Sequence, residues 1–217
     1  MKTRSSKHKS RKHRSHYHSH SDDEWSDEEE HEIEKKVNTV GTSIYFYSDV
    51  TEESTTNLTK QLYKLEIKLM KKAVELPGYK PEINVYIRSE GGDVYAGFSA
   101  MDELKNSRVV VNTIVDGMCA SAATIIYMGG HNRYIKPHAH MLIHQITVNG
   151  FWGTFEDLKD ETDNCEKIMN MLKKVYSDNC KIPKKVFKEL MQKDVLLSPS
   201  ECLEYGIAHE TVCRGTA

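Results

Sequence analysis

The chain has 217 residues, with 30 Lys or Arg, 32 Asp or Glu and a formal net charge of −2. This length suits one sizeable domain, alone or with an extension. The near-neutral balance argues against a domain built to bind nucleic acid, and no apolar run reaches the length of a membrane span. The amino terminus also lacks the apolar core of a signal peptide. We therefore expect a soluble, cytoplasmic protein with no membrane partner.

Residues 1–36 differ in composition from the rest of the chain. They carry nine basic and nine acidic side chains, six of the eleven histidines and almost no aliphatic residue. Such a segment cannot bury enough apolar surface to fold, so we predict a disordered tail before one folded domain at 37–217. Most of its basic side chains precede its acidic ones, which is typical of a solvated interaction tail. For its basic block we favour a plain solubilising role over nucleic-acid binding, a nuclear address or pairing with the acidic block, and we expect no other part of the chain to bind nucleic acid.

The cysteines are scattered and include no CxxC pair. An odd, dispersed set in a chain of this size indicates reduced thiols in a cytosol-like compartment. The five are Cys119, Cys165, Cys180, Cys202 and Cys213.

Extended and helical patterns alternate from Val37 onwards. The predicted elements are a strand at 43–47, a helix from Thr51 to Leu76, a strand at 83–87, a helix at 94–106, a strand at 108–115 broken by Asp116-Gly117, and a short buried helix after Ser121 that ends at Gly129-Gly130. Three strand–helix units in succession imply parallel strands joined by right-handed crossovers, in an α/β layered domain.

The second half predicts shorter strands and a longer helix. We expect strands at 133–135 and 141–144, a long amphipathic helix at 154–179, a helix opened by Pro183, and a last helix capped by Ser198. The long helix exceeds what a compact sheet needs to cover it. We expect it to project towards a partner.

Ser121 lies between a buried strand and an apolar helix, which gives its hydroxyl two alternative roles. As a helix N-cap it would satisfy an orphan backbone N–H. As a nucleophile it would sit beside N–H groups that can stabilise an oxyanion.

Parallel sheets place ligands at the carboxyl ends of their strands, and this rule selects Gly91-Gly92, Ser121 and His144. The glycine pair is either a tight turn or a close approach of the backbone to a substrate. His144 is the candidate base for the serine, and Asp194 the candidate acid to orient it, because it opens an apolar segment where burial is expected. We assign the other acidic candidates to the solvated face of the long helix: Asp157, Asp160, Glu161 and Asp163.

A metal site is the alternative for the histidines. His138, His140 and His144 would point to the same side of one continuous strand, and histidine is a common zinc ligand. Pro137 and the short strand weaken that geometry.

Several dispersed motifs, in the same order, resemble the proteolytic subunit of the caseinolytic (Clp) proteases, a family of serine peptidases. The matching segments are Ser89-Glu-Gly-Gly92 with Ala96-Gly97, Gly117-Met-Cys-Ala-Ser121-Ala, Met141-Leu-Ile-His144-Gln145, and Asp194-Val-Leu-Leu-Ser198 with Glu204-Tyr-Gly206. The resemblance implies a spiral of β-β-α units with a protruding long helix. It also implies a nucleophile at Ser121, a general base at His144 and an orienting acid at Asp194. Oxyanion donors would be the N–H groups of Gly92 and Ala122, with no cofactor and no metal.

The resemblance also implies assembly into heptameric rings, stacked in pairs, that are fed protein substrates by an ATP-dependent AAA+ unfoldase. Three positions depart from the family pattern. Glu90 and Ile146 stand where Pro is usual, and Lys193 replaces an Arg that pairs across rings, without its planar fork. Two other functions remain open: a non-catalytic ring subunit that scaffolds an active partner, and a crotonase-like enzyme acting on acyl-CoA, for which Glu90 would supply the carboxylate.

Overall fold

The computed structural model describes residues 37–148 and 150–212, and within them eight strands form one mixed sheet. The strands are β1 (Val37–Val40), β2 (Ser43–Phe46), β3 (Glu82–Ser89), β4 (Val110–Ala120), β5 (Asn132–Ile135), β6 (His140–Leu142), β7 (Leu196–Leu197) and β8 (Glu210–Thr211). β1 pairs antiparallel with β2, and β2, β3, β4, β5 and β8 follow in parallel. The predicted tail at 1–36 lies outside the described residues.

Six helices complete the described part of the chain: α1 (Glu52–Glu75), α2 (Val94–Lys105), α3 (Ala122–Met128), α4 (Phe155–Asn179), α5 (Lys184–Leu190) and α6 (Pro199–Glu204). Local chemistry fixes where several of them begin. The hydroxyls of Thr51, Thr154 and Ser198 accept from the backbone N–H three residues on, each in a reciprocal capping box. The Asp93 carboxylate caps α2 by accepting from the Ala96 N–H. These contacts satisfy N–H groups that a helix start leaves unpaired.

The core lies between the sheet and the first three helices. The leucines predicted from the spacing of α1, from Leu58 to Leu69, are buried, and so are Ile83, Val85 and Ile87 on one face of β3. Because successive strand side chains point to opposite faces, burial of alternate residues places the helices on that side. The predicted parallel strand–helix succession and the mixed α/β fold are confirmed.

The predicted break of the third strand at Asp116-Gly117 is wrong, because β4 continues to Ala120. Its first part pairs with β5 and its last part, Met118–Ala120, pairs in parallel with β6. Against β3, the register passes from Ile87–Val115 to Ser89–Cys119, so β4 holds two extra residues at this point. Gly117, at φ 105°, adopts a conformation that favours glycine and allows the bulge. The strand changes partner there instead of ending.

Other boundaries also differ from the sequence prediction, most by one or two residues. β6 ends at Leu142, so His144 lies beyond the strand in an extended segment. α1 ends at Glu75, which leaves Leu76 as its exposed C-cap.

The long helix α4 has the predicted length and is largely uncovered. Of its 25 residues, only Leu172 and Tyr176 are buried. Among the described helices, none combines the length and the apolar character that a membrane crossing requires. The four cysteines within the described residues are free, and Cys213 lies outside them.

Candidate active site

Ser121 occupies the junction of β4 and α3 in an unusual backbone conformation. Its φ is 53° and its ψ is −127°, and it is the only residue other than glycine with a positive φ in the described part of the chain. The cap interpretation is wrong, since the Ser121 hydroxyl makes no capping hydrogen bond. Three hydrogen bonds to its backbone hold the residue instead. Its N–H donates to the carbonyl of Leu142 at 2.9 Å, and its carbonyl accepts from the Thr124 hydroxyl at 2.5 Å and from the Thr124 N–H at 3.0 Å. The Ser121 hydroxyl is thus left unused by the fold.

The glycine pair is a close backbone approach as well as a turn. A Cβ on Gly91 would lie 2.6 Å from the Ser121 Cβ, and one on Gly92 would lie 2.2 Å from the Val50 carbonyl oxygen. Both residues also have positive φ. Among the described residues, the backbone hydrogen bonds outside regular helix and strand pairing include none donated by the N–H of Gly92 or Ala122. Both donors therefore remain available beside Ser121.

Ser121, Ala122, Gly92 and His144 line one cleft of about 560 Å³. One wall is the extended segment 144–148 that follows β6, and the other is α4. Its lining combines polar side chains with buried apolar ones, among them Ile125 and Leu172. A cleft of this volume with both kinds of lining suits a small ligand or a peptide segment.

Asp194 is the site residue that departs most from expectation. Its Oδ1 lies 3.6 Å from the Nδ1 of His144, so the predicted neighbours do meet, but the separation exceeds hydrogen-bond length. The Asp194 side chain is 78% exposed, against 23% for His144, so the predicted burial of Asp194 is wrong. Asp194 lies in the irregular segment between α5 and β7, which packs against β6 only through its two-residue strand. No residue in the described part of the chain covers that carboxylate.

Sequence reasoning missed two further parts of the site. The Tyr176 hydroxyl lies 2.5 Å from the Thr124 hydroxyl, which itself donates to the Ser121 carbonyl, so α4 is tied to the backbone of Ser121. Glu161, assigned to a solvated face, is half-buried and lines the cleft, whereas Asp157, Asp160 and Asp163 are exposed as expected. The sequence does contain a signal for both residues, because Glu161 and Tyr176 have the helical spacing that places them on the same face of α4 as Ile168 and Leu172.

The metal interpretation of the histidines finds no geometric basis. Because β6 is only three residues long, His138 and His144 lie on either side of it and do not share a strand face with His140. The described residues contain no group of three or more His, Cys, Asp or Glu side chains placed to hold a metal ion.

Comparison with known proteins shows which proteins the chain is similar to. The family model described as Clp protease matches residues 27–214. The ATP-dependent Clp protease proteolytic subunit of Deinococcus radiodurans is 31% identical over 133 residues, which is 60% of this chain and 65%, just under two thirds, of that protein. Proteolytic subunit 1 of Chlamydia pneumoniae is 29% identical over 76% of this chain and 83% of its own length. The corresponding protein of Chlamydia trachomatis is 30% identical, over 76% and 82%.

A solved structure supports the same fold. A ClpP1 mutant from Listeria monocytogenes superposes with a TM-score of 0.67 at 22% sequence identity, covering 86% of this chain and 96% of that one. The family match extends over most of the chain, and the curated relatives agree with it. The chain belongs to the Clp protease family.

Proposed function

We propose that the chain is a serine endopeptidase in which Ser121 is the nucleophile, His144 the general base and Asp194 the acid that orients the imidazole. The observation that carries this proposal is the shared cleft of Ser121 and His144, with the Nδ1 of His144 facing Asp194 at 3.6 Å. If Nδ1 carries its proton towards the carboxylate, Nε2 is left to accept the proton of the serine hydroxyl. A hydroxyl needs such a neighbour to become a useful nucleophile.

The reaction would proceed in two halves. Ser121 Oγ attacks the scissile carbonyl while His144 takes its proton, and the oxyanion forms beside the N–H groups of Gly92 and Ala122. His144 then gives the proton to the departing amine, which leaves an ester on Ser121. A water molecule, deprotonated by His144, hydrolyses that ester and releases the acid.

The open N–H groups of Gly92 and Ala122 support the oxyanion assignment. Donors that are already in place and bound to nothing else need no rearrangement when charge develops. The close approach of Gly91 to Ser121 brings that loop near the reacting atom.

We further propose that the working form is a homo-oligomeric ring, a heptamer or a double heptamer, acting on protein or peptide substrates with an AAA+ unfoldase. The curated relatives are named ATP-dependent Clp protease proteolytic subunits. The exposed length of α4 and the exposed Asp194 both suit a chain that is covered by neighbouring copies. Free thiols in the described residues fit a cytoplasmic location.

A second candidate is a non-catalytic ring subunit that scaffolds an active relative. The observation in its favour is the 3.6 Å separation between His144 and Asp194, which is too long for the hydrogen bond that fixes an imidazole tautomer. Apo sites are often looser than working ones, so this separation does not outweigh the presence of all three side chains.

A fluorophosphonate probe separates these candidates, because it reacts only with an activated serine. We expect labelling at Ser121 that is lost in Ser121→Ala. Asp194→Asn should slow labelling by about 10²–10⁴-fold by favouring the wrong tautomer. Asp160→Asn, on the exposed face of α4, is the matched control and should label normally. Native mass spectrometry of each variant would test for a multiple of seven chains, and an assembled wild type without labelling would favour the scaffold.

A further inference from the structure

One face of α4 forms a wall of the cleft from a buried apolar end to an acidic outer end. The side chains on this wall share the three- and four-residue spacing of a single helix face. They are Glu161, Cys165, Ile168, Leu172 and Tyr176. Leu172 and Tyr176 are buried, whereas Ile168, Cys165 and Glu161 are half-buried. The wall thus changes from apolar to charged along the helix.

Ser121 lies at the apolar end of this wall. Tyr176 contacts Thr124, and Thr124 binds the Ser121 carbonyl, which fixes that end of α4 beside the nucleophile. At 1.5 Å per residue, Glu161 lies about 16 Å along the helix from Leu172. An extended peptide advances about 3.3 Å per residue and a lysine side chain adds about 6 Å. A substrate side chain roughly three to five residues from the scissile bond would reach the Glu161 carboxylate.

Glu161 has no cationic partner within the described residues. None of the ion pairs found there includes it, and no Lys or Arg lines the cleft. The Cys165 thiol donates to its Oε1 at 3.9 Å, which is the one side-chain hydrogen bond that Glu161 makes with the described residues. The other carboxylate on the cleft wall, Asp93, is engaged as the cap of α2, accepting from Ala96 N–H at 2.7 Å. Facing Glu161 across the cleft, the segment 145–148 carries no charged side chain.

We propose that Glu161 is a specificity-determining residue that selects a basic side chain, Lys or Arg, three to five residues from the scissile bond. The proposal rests on the proposed peptidase function of the same cleft. A half-buried carboxylate without a counter-ion gains from a substrate cation that brings its own donors. A substrate carboxylate at that position meets a like charge in a partly desolvated cleft, which disfavours it.

A peptide series with one fixed scissile bond tests this inference. A single Lys, norleucine or Glu is moved through five positions on either side of the bond, and kcat/KM is measured for the wild-type assembly. We expect a Lys-over-Glu preference of about three- to tenfold at one or two positions and none elsewhere, the size expected of a partly exposed ion pair. Glu161→Gln should remove the preference, and Glu161→Lys should reverse it at the same positions.

Glu166→Gln is the matched control. Glu166 follows Glu161 on α4 and lines a neighbouring cavity of about 490 Å³, which shares Gln145, Ile146, Val148 and Cys165 with the cleft but not Ser121, His144 or Glu161. This variant should keep the wild-type preference. Loss of the preference in Glu166→Gln as well as Glu161→Gln would attribute it to general surface charge and overturn the proposal.

Binding gives an answer that is independent of turnover. The same peptides, carrying a fluorophore, are titrated against Ser121→Ala by anisotropy, alone and combined with Glu161→Lys. Tighter binding of Lys peptides, reversed by the second substitution, supports the inference. Equal binding of Lys and Glu peptides, or cleavage without discrimination, overturns the inference and leaves the peptidase proposal standing. An unlabelled Ser121 in an assembled ring would remove the peptidase proposal itself.

Discussion

The two sides of the cleft are built in different ways. On one side, β4 delivers Ser121 to α3, all seven residues of which are buried, and Gly91 packs directly against the serine Cβ. On the other side, His144 follows the end of β6, Asp194 lies in an exposed connection, and α4 buries two of its 25 residues. Ser121, the proposed nucleophile, is therefore attached to the hydrophobic core, whereas His144 and Asp194, the proposed base and acid, lie at the periphery of the single chain.

This difference teaches where the site is rigid and where it depends on its surroundings. Few buried contacts and exposed backbone are the marks of segments that open locally at low free-energy cost. The buried helix α3 and the close approach of Gly91 hold Ser121 and the N–H groups of Gly92 and Ala122 in place. The 3.6 Å gap between His144 and Asp194 is the part that the proposed assembly would close.

The sharpest test of the core side is Ser121→Gly. Loss of the hydroxyl should lower peptide turnover by at least about 10⁴-fold. Because the hydroxyl caps nothing and the backbone holds φ at 53°, glycine should relieve strain and raise the free energy of unfolding by about 1 kcal/mol. Urea unfolding followed by circular dichroism would measure it.

Ser198→Ala is the control for that experiment. Its hydroxyl does cap a helix, accepting from Glu201 N–H, so its removal should cost about 1 kcal/mol of stability. Turnover should be unchanged. Equal destabilisation by both substitutions would show that Ser121 has a structural role that the backbone geometry does not reveal.

Substitution of Gly91 tests the contact between the glycine loop and the nucleophile. In Gly91→Ala the new Cβ would lie 2.6 Å from the Ser121 Cβ and 2.8 Å from the Ala120 carbonyl oxygen. We expect a loss of roughly 2–4 kcal/mol of stability and of most activity, since backbone and core must both shift. Gly78→Ala is matched in its positive φ, with nothing within 4 Å, and should cost only about 1 kcal/mol. Similar losses in thermal unfolding for the two would contradict the close approach.

A pair of tyrosines tests the link between the core and α4. Tyr176→Phe removes the hydrogen bond to Thr124, leaves a buried hydroxyl without that partner and should cost about 1–2 kcal/mol. Tyr127→Phe deletes a buried hydroxyl that has no hydrogen-bond partner in the described structure, so it should be neutral or stabilising. Chemical denaturation would rank the two variants. A greater loss of stability in Tyr127→Phe than in Tyr176→Phe would show that the hydrogen bond between Tyr176 and Thr124 does not stabilise the contact of α4 with the core.

The smallest expected effects come from two helix caps of the same chemistry. Thr51→Ala, at the start of the packed helix α1, should lower global stability by about 1 kcal/mol. Thr154→Ala should fray only the first turn of α4 and leave the thermal midpoint nearly unchanged. Hydrogen exchange would locate the change in each variant. A drop in midpoint for Thr154→Ala equal to that for Thr51→Ala would mean that α4 unfolds together with the core.

The same cap has a pH dependence of known sign. Hydrogen bonds from the Thr154 hydroxyl and N–H hold the pKa of Asp157 below its usual range. A lowered folded-state pKa stabilises the cap above the unfolded-state pKa, and the contribution is lost as pH falls through the folded-state value. The protection factor of the amides at the start of α4, which corrects the exchange rate for its intrinsic pH dependence, should therefore fall in acid, and less so in Asp157→Asn.

Local chemistry explains which parts could be predicted from the sequence. The leucine spacing of α1, the β-branched run of β4 and the caps at Thr51 and Ser198 each act within a few residues, so their pattern predicts the element directly. Ser121, Gly92 and His144 could be found because strand ends converge at one edge of a parallel sheet.

The errors arise where distant segments decide the outcome. β4 passes Gly117 because β6 offers a second partner, and no property of residues 108–120 alone encodes that pairing. The apolar neighbours of Asp194 predict its burial. In the structure those neighbours form only a two-residue strand, and the Asp194 carboxylate remains exposed to solvent. The neighbours of Glu161 in the sequence predict a solvated side chain, but the segment 144–148, which is distant in the helix pattern, lies across the cleft from it and partly buries it.

The two extra residues in β4 restrict which changes of chain length this protein can tolerate. Because strand side chains alternate, loss of a single residue between Val115 and Met118 would turn Cys119 from the interior to the opposite face and rotate Ser121 with it. A paired deletion would preserve the facing but draw Ser121 back by about 7 Å. Either change in the length of β4 therefore moves Ser121. Among related chains, the loops should differ in length more readily than this strand.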